Sequence, residues 1–255
     1  MEVTPLILTY NEAANIGRSL QRLTWAKQIV VIDSGSTDAT LEILNAYPQV
    51  EVFTRSFDTH AQQWNYGLDK IDSEWVLSLD ADYVLSPDVI QEIRSLPEQT
   101  EIDGFYIRFK YCVFGKPLHG TLLPPRQALF RREKATYIDD GHTQLLKVRG
   151  RSGFLNAPIY HDDRKPLSRW MWAQERYMKL EVQKLRSTPT SELSLSDRIR
   201  KTKILAPFVV LIYCLFLKAA ILDGWAGWYY TLQRVLAEIL LSIHLIQADQ
   251  GSQNG

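Results

Sequence analysis

The sequence predicts an α/β protein: a mostly parallel sheet with a mixed extension, followed by C-terminal amphipathic and apolar helices. From Thr4 to about Leu96, continuous apolar runs alternate with segments of helical periodicity. This alternation is typical of a parallel sheet that helices cover on both faces. From Gly104 to His161 the apolar runs become short and alternating, and from Leu167 onward the periodicity is helical. A chain of 255 residues is long enough for one such core with an appendage.

Each predicted element follows from a short stretch of sequence. Ile16, Leu20 and Leu23 recur at helical spacing after the first strand, and Leu41 and Leu44 do so after the second. The strand candidates of the first part are TPLILTY, QIVVID, VEVFT and WVLSLD, and those of the extension are GFYIRFKY, QALFRR, TQLLKV and APIYH. The stretch LSRWMWAQERYMKLEVQKL predicts a long helix, and STPTSELSLSD predicts a polar connector.

The composition argues against some classes of protein. The 29 basic and 29 acidic side chains give no net charge, whereas a general nucleic-acid-binding protein usually carries a basic excess. Cys112 and Cys214 lie far apart and lack the spacing of metal ligands. We therefore expect reduced thiols in a cytosolic protein. The N-terminus runs directly into a strand, and we expect no signal peptide there.

Polar residues follow three of the four predicted strands at their carboxyl ends. Residues 9–12 follow the first strand, 33–38 the second and 80–82 the fourth. Each stretch alone has the composition of an ordinary turn or helix cap. In a parallel sheet, however, the three strand ends meet at one edge, and ligands bind beyond that edge. The sequence therefore predicts a ligand site there.

Two acids, Asp80 and Asp82, stand one residue apart at the end of the fourth strand. In an extended segment, residues two apart point to the same side, so both carboxylates can face one ligand. Hard oxygen ligands suit Mg²⁺ or Mn²⁺, which bind through one or two carboxylates and substrate phosphates. The chain has neither a phosphate-binding P-loop motif nor a dinucleotide fingerprint. With these two ligand classes excluded, the remaining candidate ligand is a nucleotide diphosphate bridged by a metal ion.

The motifs LILTYNEAANI, VVIDSGSTDAT and WVLSLDADYVLSPD resemble the nucleotide-binding half of the family 2 glycosyltransferases, which have the Rossmann-like GT-A fold. The resemblance covers roughly residues 3–165. An LFRR-like strand and an LDGWAG-like turn, at residues 222–227, are similar to those of the short bacterial subfamily that includes lipopolysaccharide-core glucosyltransferases. The resemblance implies an inverting, metal-dependent transfer of a sugar from a nucleotide diphosphate, expected to be UDP, to a cell-envelope glycan or lipid-linked acceptor.

The resemblance also implies roles for individual residues. Asp33 would accept a hydrogen bond from the base, at the imide N–H of uracil, and Asp82 would ligate the metal ion with Asp80 near it or near the ribose. Gln63 and Asn65 stand where the family often has an arginine and an asparagine facing the donor, and Gln63 departs from that arginine. The residues expected to line the nucleotide-sugar pocket are Thr9, Tyr10, Glu12, Asp33, Gln63, Asn65, Asp80, Ala81 and Asp82.

An inverting transfer needs a general base for the acceptor hydroxyl. In the family this base comes from the loop region after the mixed extension, where a His-Glu pair is often found. Here that region reads YIDDGHTQLL, without the glutamate. Asp139 and Asp140 are the available acids, with Asp140 preferred, and a solvated turn is the alternative. His142 is expected to bind the metal or the diphosphate, or to orient the base. Further candidates are His161 for the metal ion and Arg126, Arg164 and Lys165 for phosphates.

The C-terminal part predicts a membrane surface as a partner. The run 204–222 is about long enough to cross a bilayer, and it follows the basic stretch RIRKTK and precedes four aromatic residues. Leu232, Ile239 and Ile243 then lie on the apolar side of an amphipathic helix, with Glu238 on the polar side. Spanning, re-entrant and surface arrangements all remain open, and a buried hairpin or a dimer interface is the alternative. The basic stretch favours the cytoplasmic side of the membrane.

These observations predict three parts. Residues 1–165 form the nucleotide-sugar-binding and catalytic domain, 166–197 a helix and polar connector, and 198–248 the membrane-associating helices. Two other functions fit the same residues. One is a polyprenyl-phosphate sugar synthase, whose lipid phosphate acceptor would need little base assistance. The other is a membrane-bound scaffold that keeps the fold without the chemistry, which the missing His-Glu pair would favour.

Overall fold

The computed structural model describes residues 1–120, 122–140 and 143–251, with the side chains of Asp140, Thr143 and Gly251 outside the description. The strands are β1 Val3–Thr9, β2 Ile29–Asp33, β3 Val50–Thr54, β4 Trp75–Asp80, β5 Tyr83–Leu85, β6 Gly104–Ile107, β7 Phe109–Val113, β8 Lys116–Pro117, β9 Arg126–Arg131, β10 Ala135–Asp140, β11 Thr143–Val148, β12 Ser152–Phe154 and β13 Ile159–His161. The helices are α1 Ile16–Gln21, α2 Thr40–Asn45, α3 His60–Leu68, α4 Pro87–Ser95, α5 Leu167–Ser187, α6 Leu195–Lys201, α7 Leu205–Ile212 and α8 Trp225–Gly251.

The main sheet has seven strands in the order β12-β6-β9-β4-β1-β2-β3. Strands β4, β1, β2 and β3 run parallel, whereas β9 is antiparallel to both β4 and β6. The predicted α/β fold with a parallel half and a mixed extension is therefore confirmed. The continuous apolar runs reflect burial on both faces of the sheet, since Leu6, Ile7, Val30, Val31 and Leu77 have no exposed surface.

Two smaller sheets complete the extension. One has the order β5-β13-β7-β8, and the other is the hairpin of β10 and β11. The sequence analysis did not identify β5, β8, β10 or β12, because short strands with polar residues have little periodicity. The acids Asp139 and Asp140, expected in a loop, thus stand at the end of β10.

The chain divides into two compact units. The first contains Met1–Pro117 and Leu122–Arg164, and the second contains Leu118–Thr121 with the chain from Lys165 onward. In the second unit, α5 and α8 share a small apolar core formed by Met178, Leu185, Leu193, Leu241 and Leu245. The helix and connector predicted at 166–197 therefore belong to the same unit as the C-terminal helices.

The apolar run 204–222 is not one helix. After α7 the backbone forms a π-helical turn over Tyr213–Leu217, and Ala219 adopts a left-handed conformation with φ of 56° before a 3₁₀ turn over Ala220–Asp223. Over the described part of the chain, every helix is too short or too polar to qualify as a membrane span.

Helix α8 buries one residue of its predicted polar side. Glu238 is 7% exposed, and its carboxylate accepts a 2.7 Å hydrogen bond from Arg200 Nη2 in α6. Leu232, Ile239 and Ile243 of the predicted apolar side are exposed. Helix α8 thus buries both charged and apolar residues: Glu238 pairs with α6, and Leu241 and Leu245 pack in the apolar core with α5.

Candidate functional site

The three polar strand ends lie next to one another, as the parallel sheet predicts. The register pairs Thr9 of β1 with Asp33 of β2, and Leu8 of β1 with Asp80 of β4. Because these strands run parallel, the segments that follow them leave the sheet at the same edge. This edge carries the candidate site.

Asp33 is the most enclosed acid at this edge. It has no exposed surface, and its Oδ1 accepts the backbone N–H groups of Gly35 and Ser36 at 2.9 and 2.8 Å. Its Oδ2 accepts the hydroxyls of Thr9 and Ser36 at 2.9 and 2.5 Å. A hydrogen bond from a base to Asp33 would therefore have to replace one of these four. Base recognition by Asp33 stays a prediction.

The loop after β1 is tied to the loop after β2 through Asn11. This residue has a left-handed φ of 55°, which asparagine tolerates better than most residues. Its backbone N–H donates to Ser36 Oγ at 2.8 Å, and its side-chain oxygen accepts the N–H of Thr37 at 2.8 Å. Glu12 adds a third link, from its N–H to Thr40 Oγ1 at 2.8 Å. Tyr10 remains 43% exposed between these links, so its ring is accessible to a ligand.

The second acid of the pair, Asp82, meets His161. Strand β13 runs antiparallel to β5 and pairs His161 with Tyr83, which brings His161 Nε2 to 3.1 Å from Asp82 Oδ2. The imidazole also lies against the rings of Tyr83 and Tyr111, with centroid distances of 5.3 and 4.8 Å. Burial alone would lower the pKa of His161, but the charge and hydrogen bond of Asp82, together with the charges of Asp80 and Asp163, raise that pKa above its ordinary value.

Asp80 and Arg126 both lie near Tyr83, whose ring contacts His161. Burial raises the pKa of Tyr83 well above its ordinary value, and the charge of Asp80 raises it further. Arg126 Nη1 donates to the Tyr83 hydroxyl at 3.3 Å. The guanidinium of Arg126 is therefore close to the paired acids, where a substrate phosphate would add negative charge.

The residues present fit a hard divalent cation. Asp82 is 9% exposed, His161 offers an imidazole beside it, and the buried His161 Nδ1 has no hydrogen-bond partner among the described residues. Among residues 1–120, 122–140 and 143–251, no group of three His, Cys, Asp or Glu side chains converges as a complete ligand set. A partial protein set suits Mg²⁺ and Mn²⁺, whose remaining ligands are commonly water and substrate phosphates.

Gln63 is buried and already bonded. It is 1% exposed, and its Nε2 donates to Ser34 Oγ at 2.9 Å and to the carbonyl of Arg55 at 3.1 Å. Its Oε1 accepts from Arg55 Nη1, and Arg55 also pairs with Asp58 through Nη2 at 2.8 Å. The cation beside position 63 thus comes from the residue after β3. Sequence reasoning missed Arg55, although its place directly after a parallel strand was a usable signal.

Asn65 has a structural contact in the first unit. Its Nδ2 donates to the carbonyl of Tyr137 at 2.9 Å, and its Oδ1 accepts the N–H of Tyr137 at 3.0 Å. The side chain therefore joins α3 to β10. The ring of Tyr137 stacks on Trp64 at a centroid distance of 5.3 Å, which reinforces the same junction.

The polar stretch after β13 is an ion network. Asp162 is 5% exposed and binds Arg18 Nη1 at 2.6 Å and Arg164 Nη2 at 2.8 Å. Its Oδ1 accepts the N–H of Gly115 at 2.9 Å. The carboxylate of Asp162 is thus held by two guanidinium groups. Arg18 is a second basic residue that sequence reasoning missed, because nothing local distinguishes it from a helix-surface arginine.

The predicted base region is only partly described. Asp139 is exposed and pairs with Gln144 across the hairpin, and strand alternation puts it on the face of Tyr137. His142 and the side chain of Asp140 lie outside the described residues. Lys165 falls in the second unit. The roles proposed for these residues stay predictions.

Comparison with solved structures shows the fold. The chain is 15% identical to S. aureus TarS 1-349 in complex with UDP-GlcNAc, with a TM-score of 0.54 over 97% of this chain and 92% of that one. It is 14% identical to the mannosyltransferase PcManGT from Pyrobaculum calidifontis in complex with GDP-Man and Mn²⁺, with a TM-score of 0.54 over 96% of this chain and 87% of that one.

Comparison of sequences shows the family. The lipopolysaccharide core biosynthesis glycosyltransferase LpsC of Rhizobium meliloti (strain 1021) is 27% identical over 86 residues, which make up 32% of this chain and 32% of LpsC. The match thus spans about a third of the length of that relative. The model of the family described as "Glycosyl transferase family 2" matches residues 6–150, more than half of the chain. The protein therefore belongs to glycosyl transferase family 2, with an α/β fold of the GT-A type.

Proposed function

We propose that the protein transfers a sugar from a nucleotide diphosphate, UDP being the expected nucleotide, to a cell-envelope glycan or a lipid-linked acceptor. The observation that carries the proposal is the pairing of Asp82 with His161 beside Asp80, at the carboxyl edge of the parallel strands. In such sheets this edge is where nucleotides bind. The donors named for the two structural neighbours, UDP-GlcNAc and GDP-Man, support a nucleotide sugar as the substrate class.

The proposed reaction is an inverting displacement. The acceptor oxygen attacks the anomeric carbon, and the bond from that carbon to the diphosphate oxygen breaks with its electron pair leaving on the diphosphate. The acceptor's proton passes to a carboxylate of this chain, for which Asp140 is the first candidate and Asp139 the second. A bound Mn²⁺ or Mg²⁺ would supply charge stabilisation of the leaving diphosphate. Asp82, with Asp80 and His161 near it, would hold that ion, and Arg126 would lie beside the phosphates.

We also propose that the second unit docks on the cytoplasmic face of a membrane. It exposes large apolar side chains that follow one another along the chain: Ile204, Leu205, Phe208, Ile212, Phe216, Leu217, Leu222 and Trp225. Soluble monomers rarely expose so much contiguous apolar surface without a partner. The basic stretch upstream contributes less than its charge suggests, because Arg200 pairs with Glu238 and Lys203 with Asp249. The apolar surface favours a lipid-linked acceptor and leaves a polyprenyl phosphate as the second candidate.

The test of the metal site is Asp82→Asn, which keeps the shape of the side chain and removes its charge. We expect Mn²⁺-dependent binding of UDP to be lost. The melting temperature should change little, because asparagine keeps the shape of the side chain and Asp82 lies between β4 and β5 rather than within a strand. Calorimetric titration of the protein with UDP, once in the presence of Mn²⁺ and once in the presence of a chelator, measures the affinity with and without the metal ion. Asp72→Asn, at an exposed acid before β4, is the matched control. Unchanged Mn²⁺-dependent affinity in folded Asp82→Asn would remove Asp82 from the ligand set.

Activity is tested separately, by turnover of a panel of nucleotide sugars with lipid extract as the acceptor. Sugar transfer that needs Mn²⁺ or Mg²⁺ supports the enzyme. A folded protein that binds UDP and metal but neither hydrolyses nor transfers any donor would favour the inactive scaffold.

A further inference from the structure

Two segments of the second unit meet around a buried carboxylate, Asp223. This residue is 2% exposed, and its Oδ2 accepts the backbone N–H of His119 at 3.1 Å. Its Oδ1 lies 2.6 Å from Nδ1 of the same histidine. A single acid thus holds both the backbone and the ring of a residue that is 104 positions away in the sequence.

The backbone around this pair has little freedom. A Cβ on Gly120 would lie 2.5 Å from the carbonyl oxygen of Lys218, and one on Gly227 would collide with the carbonyl of Ala220. Ala219 has a φ of 56°, a left-handed conformation that is unfavourable for residues other than glycine. The corner therefore requires small residues at defined positions, and it presents His119 in one orientation.

The imidazole faces outward. The His119 side chain is 65% exposed although its Nδ1 is held by an acid that is 2% exposed. Since Nδ1 faces the buried carboxylate, Nε2 is on the opposite edge of the ring. A histidine held in this way can donate a hydrogen bond from Nε2 when it is protonated and accept one when it is neutral.

The surroundings of the pair combine apolar side chains with a cation. Leu217 and Leu222, which directly precede Lys218 and Asp223 in the chain, are 73% and 70% exposed, and Trp225 is 58% exposed. The ammonium of Lys218 lies 5.5 Å from the centroid of the Tyr213 ring. An exposed apolar surface that also offers an ammonium and an imidazole is complementary to a lipid with an anionic headgroup.

We propose that His119 and Lys218 form a binding site for the phosphate group of a membrane lipid that ends in a phosphomonoester, with Asp223 as the positioning residue. The proposal rests on the membrane docking proposed above and adds a headgroup to it. A terminal phosphate carries more charge than a phosphodiester and offers three acceptor oxygens, so the Lys218 ammonium and the His119 ring can bind it together. The apolar neighbours would lie among the acyl chains.

The experiment measures binding of the full chain to three kinds of vesicle: phosphatidylcholine alone, and phosphatidylcholine mixed with phosphatidic acid or with phosphatidylglycerol at matched surface charge. We expect the wild type to prefer phosphatidic acid to phosphatidylglycerol by about fivefold or more, a difference as large as about one additional charged contact at a membrane surface. Lys218→Met should reduce that preference, whereas Lys179→Met, at an exposed lysine of α5, should leave it unchanged. Equal binding to both anionic vesicles would overturn the proposal without affecting the docking itself.

Two substitutions at position 119 separate headgroup binding from a structural role. His119→Asn keeps a donor where Nδ1 lies, so it should preserve the melting temperature and lose the preference for phosphatidic acid. His119→Gln keeps a polar group near Nε2 and gives up the contact with Asp223, so it should retain part of the preference and melt lower. A full preference in folded His119→Asn would overturn the proposal. So would inorganic phosphate that perturbs the His119 ring resonances as strongly as phosphatidic acid vesicles, because the ligand would then not be a lipid.

Discussion

Asp33 has a loop-holding role that its contacts define and a proposed base-binding role that an experiment can separate from it. Four hydrogen bonds from Thr9, Gly35 and Ser36 enclose the carboxylate. Removing the acid would therefore loosen the loop after β2 even if no base ever touched it. A variant that disturbs the loop and keeps the carboxylate is needed as a control.

Thr9→Val is that control, because it removes one of the four donors and leaves Asp33 in place. If Asp33 accepts a hydrogen bond from uracil, Asp33→Ala should weaken UDP binding by about 1.5–3 kcal/mol, the range for a hydrogen bond to a charged group. Thr9→Val should weaken it much less. Calorimetry with UDP and GDP checks both variants. Equal losses in the two variants would assign the effect to the loop.

The identity of the general base is also decided at single residues. Asp139 and Asp140 are adjacent at the end of β10, so single substitutions test the two acids separately. We expect Asp140→Asn to keep donor affinity and to lower the transfer rate by about 10²–10⁴-fold, the usual contribution of general acid–base catalysis. Asp139→Asn is the matched control. Initial rates at saturating donor give the comparison. The reverse pattern would assign the base to Asp139, which lies on the face of Tyr137.

At the scale of elements, helices α6 and α8 are joined by a network of charged side chains. Both Glu238 oxygens accept hydrogen bonds from Arg200 Nε at 3.1 Å, and the guanidinium is also 3.4 Å from Asp197 and 3.6 Å from Glu181. Burial lowers the pKa of Arg200, but these carboxylates outweigh it and raise the pKa above its ordinary value. The network explains why Glu238 of α8 is buried.

Glu238→Gln should therefore lower the free energy of unfolding by about 1–3 kcal/mol, because a partly buried guanidinium loses its closest counter-charge. Urea denaturation followed by circular dichroism measures the change. Glu175→Gln removes an exposed partner of Lys179 within α5 and should cost less than about 1 kcal/mol, as is usual for surface ion pairs. If the two variants lose the same stability, the buried network is not what holds α6 to α8.

At the scale of the whole molecule, the exposed apolar side chains of the second unit offer a test of the proposed membrane docking. Phe208→Asp should lower binding to vesicles of any headgroup, since it places a charge within the proposed docking surface, where Phe208 is 63% exposed. Phe154→Asp is the control, because Phe154 is 65% exposed in the first unit. Vesicle flotation measures the bound fraction. Equal retention by both variants and the wild type would contradict membrane docking through this surface.

The sequence by itself determined the parallel half of the sheet and the edge at which the site lies. Continuous apolar runs with polar residues directly after them are local signals. Because parallel strands end at a common edge, the proximity of Thr9, Asp33 and Asp80 followed without tertiary information. The periodicity that predicted the helix α8 is also a local signal.

Only the tertiary structure decided which partner each polar group meets. His161 reaches Asp82 because β13 pairs with β5, a contact across 79 residues that no local pattern encodes. Gln63 is bonded to an arginine from the end of another strand, and Asp223 to a histidine from a distant segment. On α8, Glu238 is buried because Arg200 of α6 pairs with it. Periodicity places residues on one side of a helix, but the elements packed against that helix determine which side is buried.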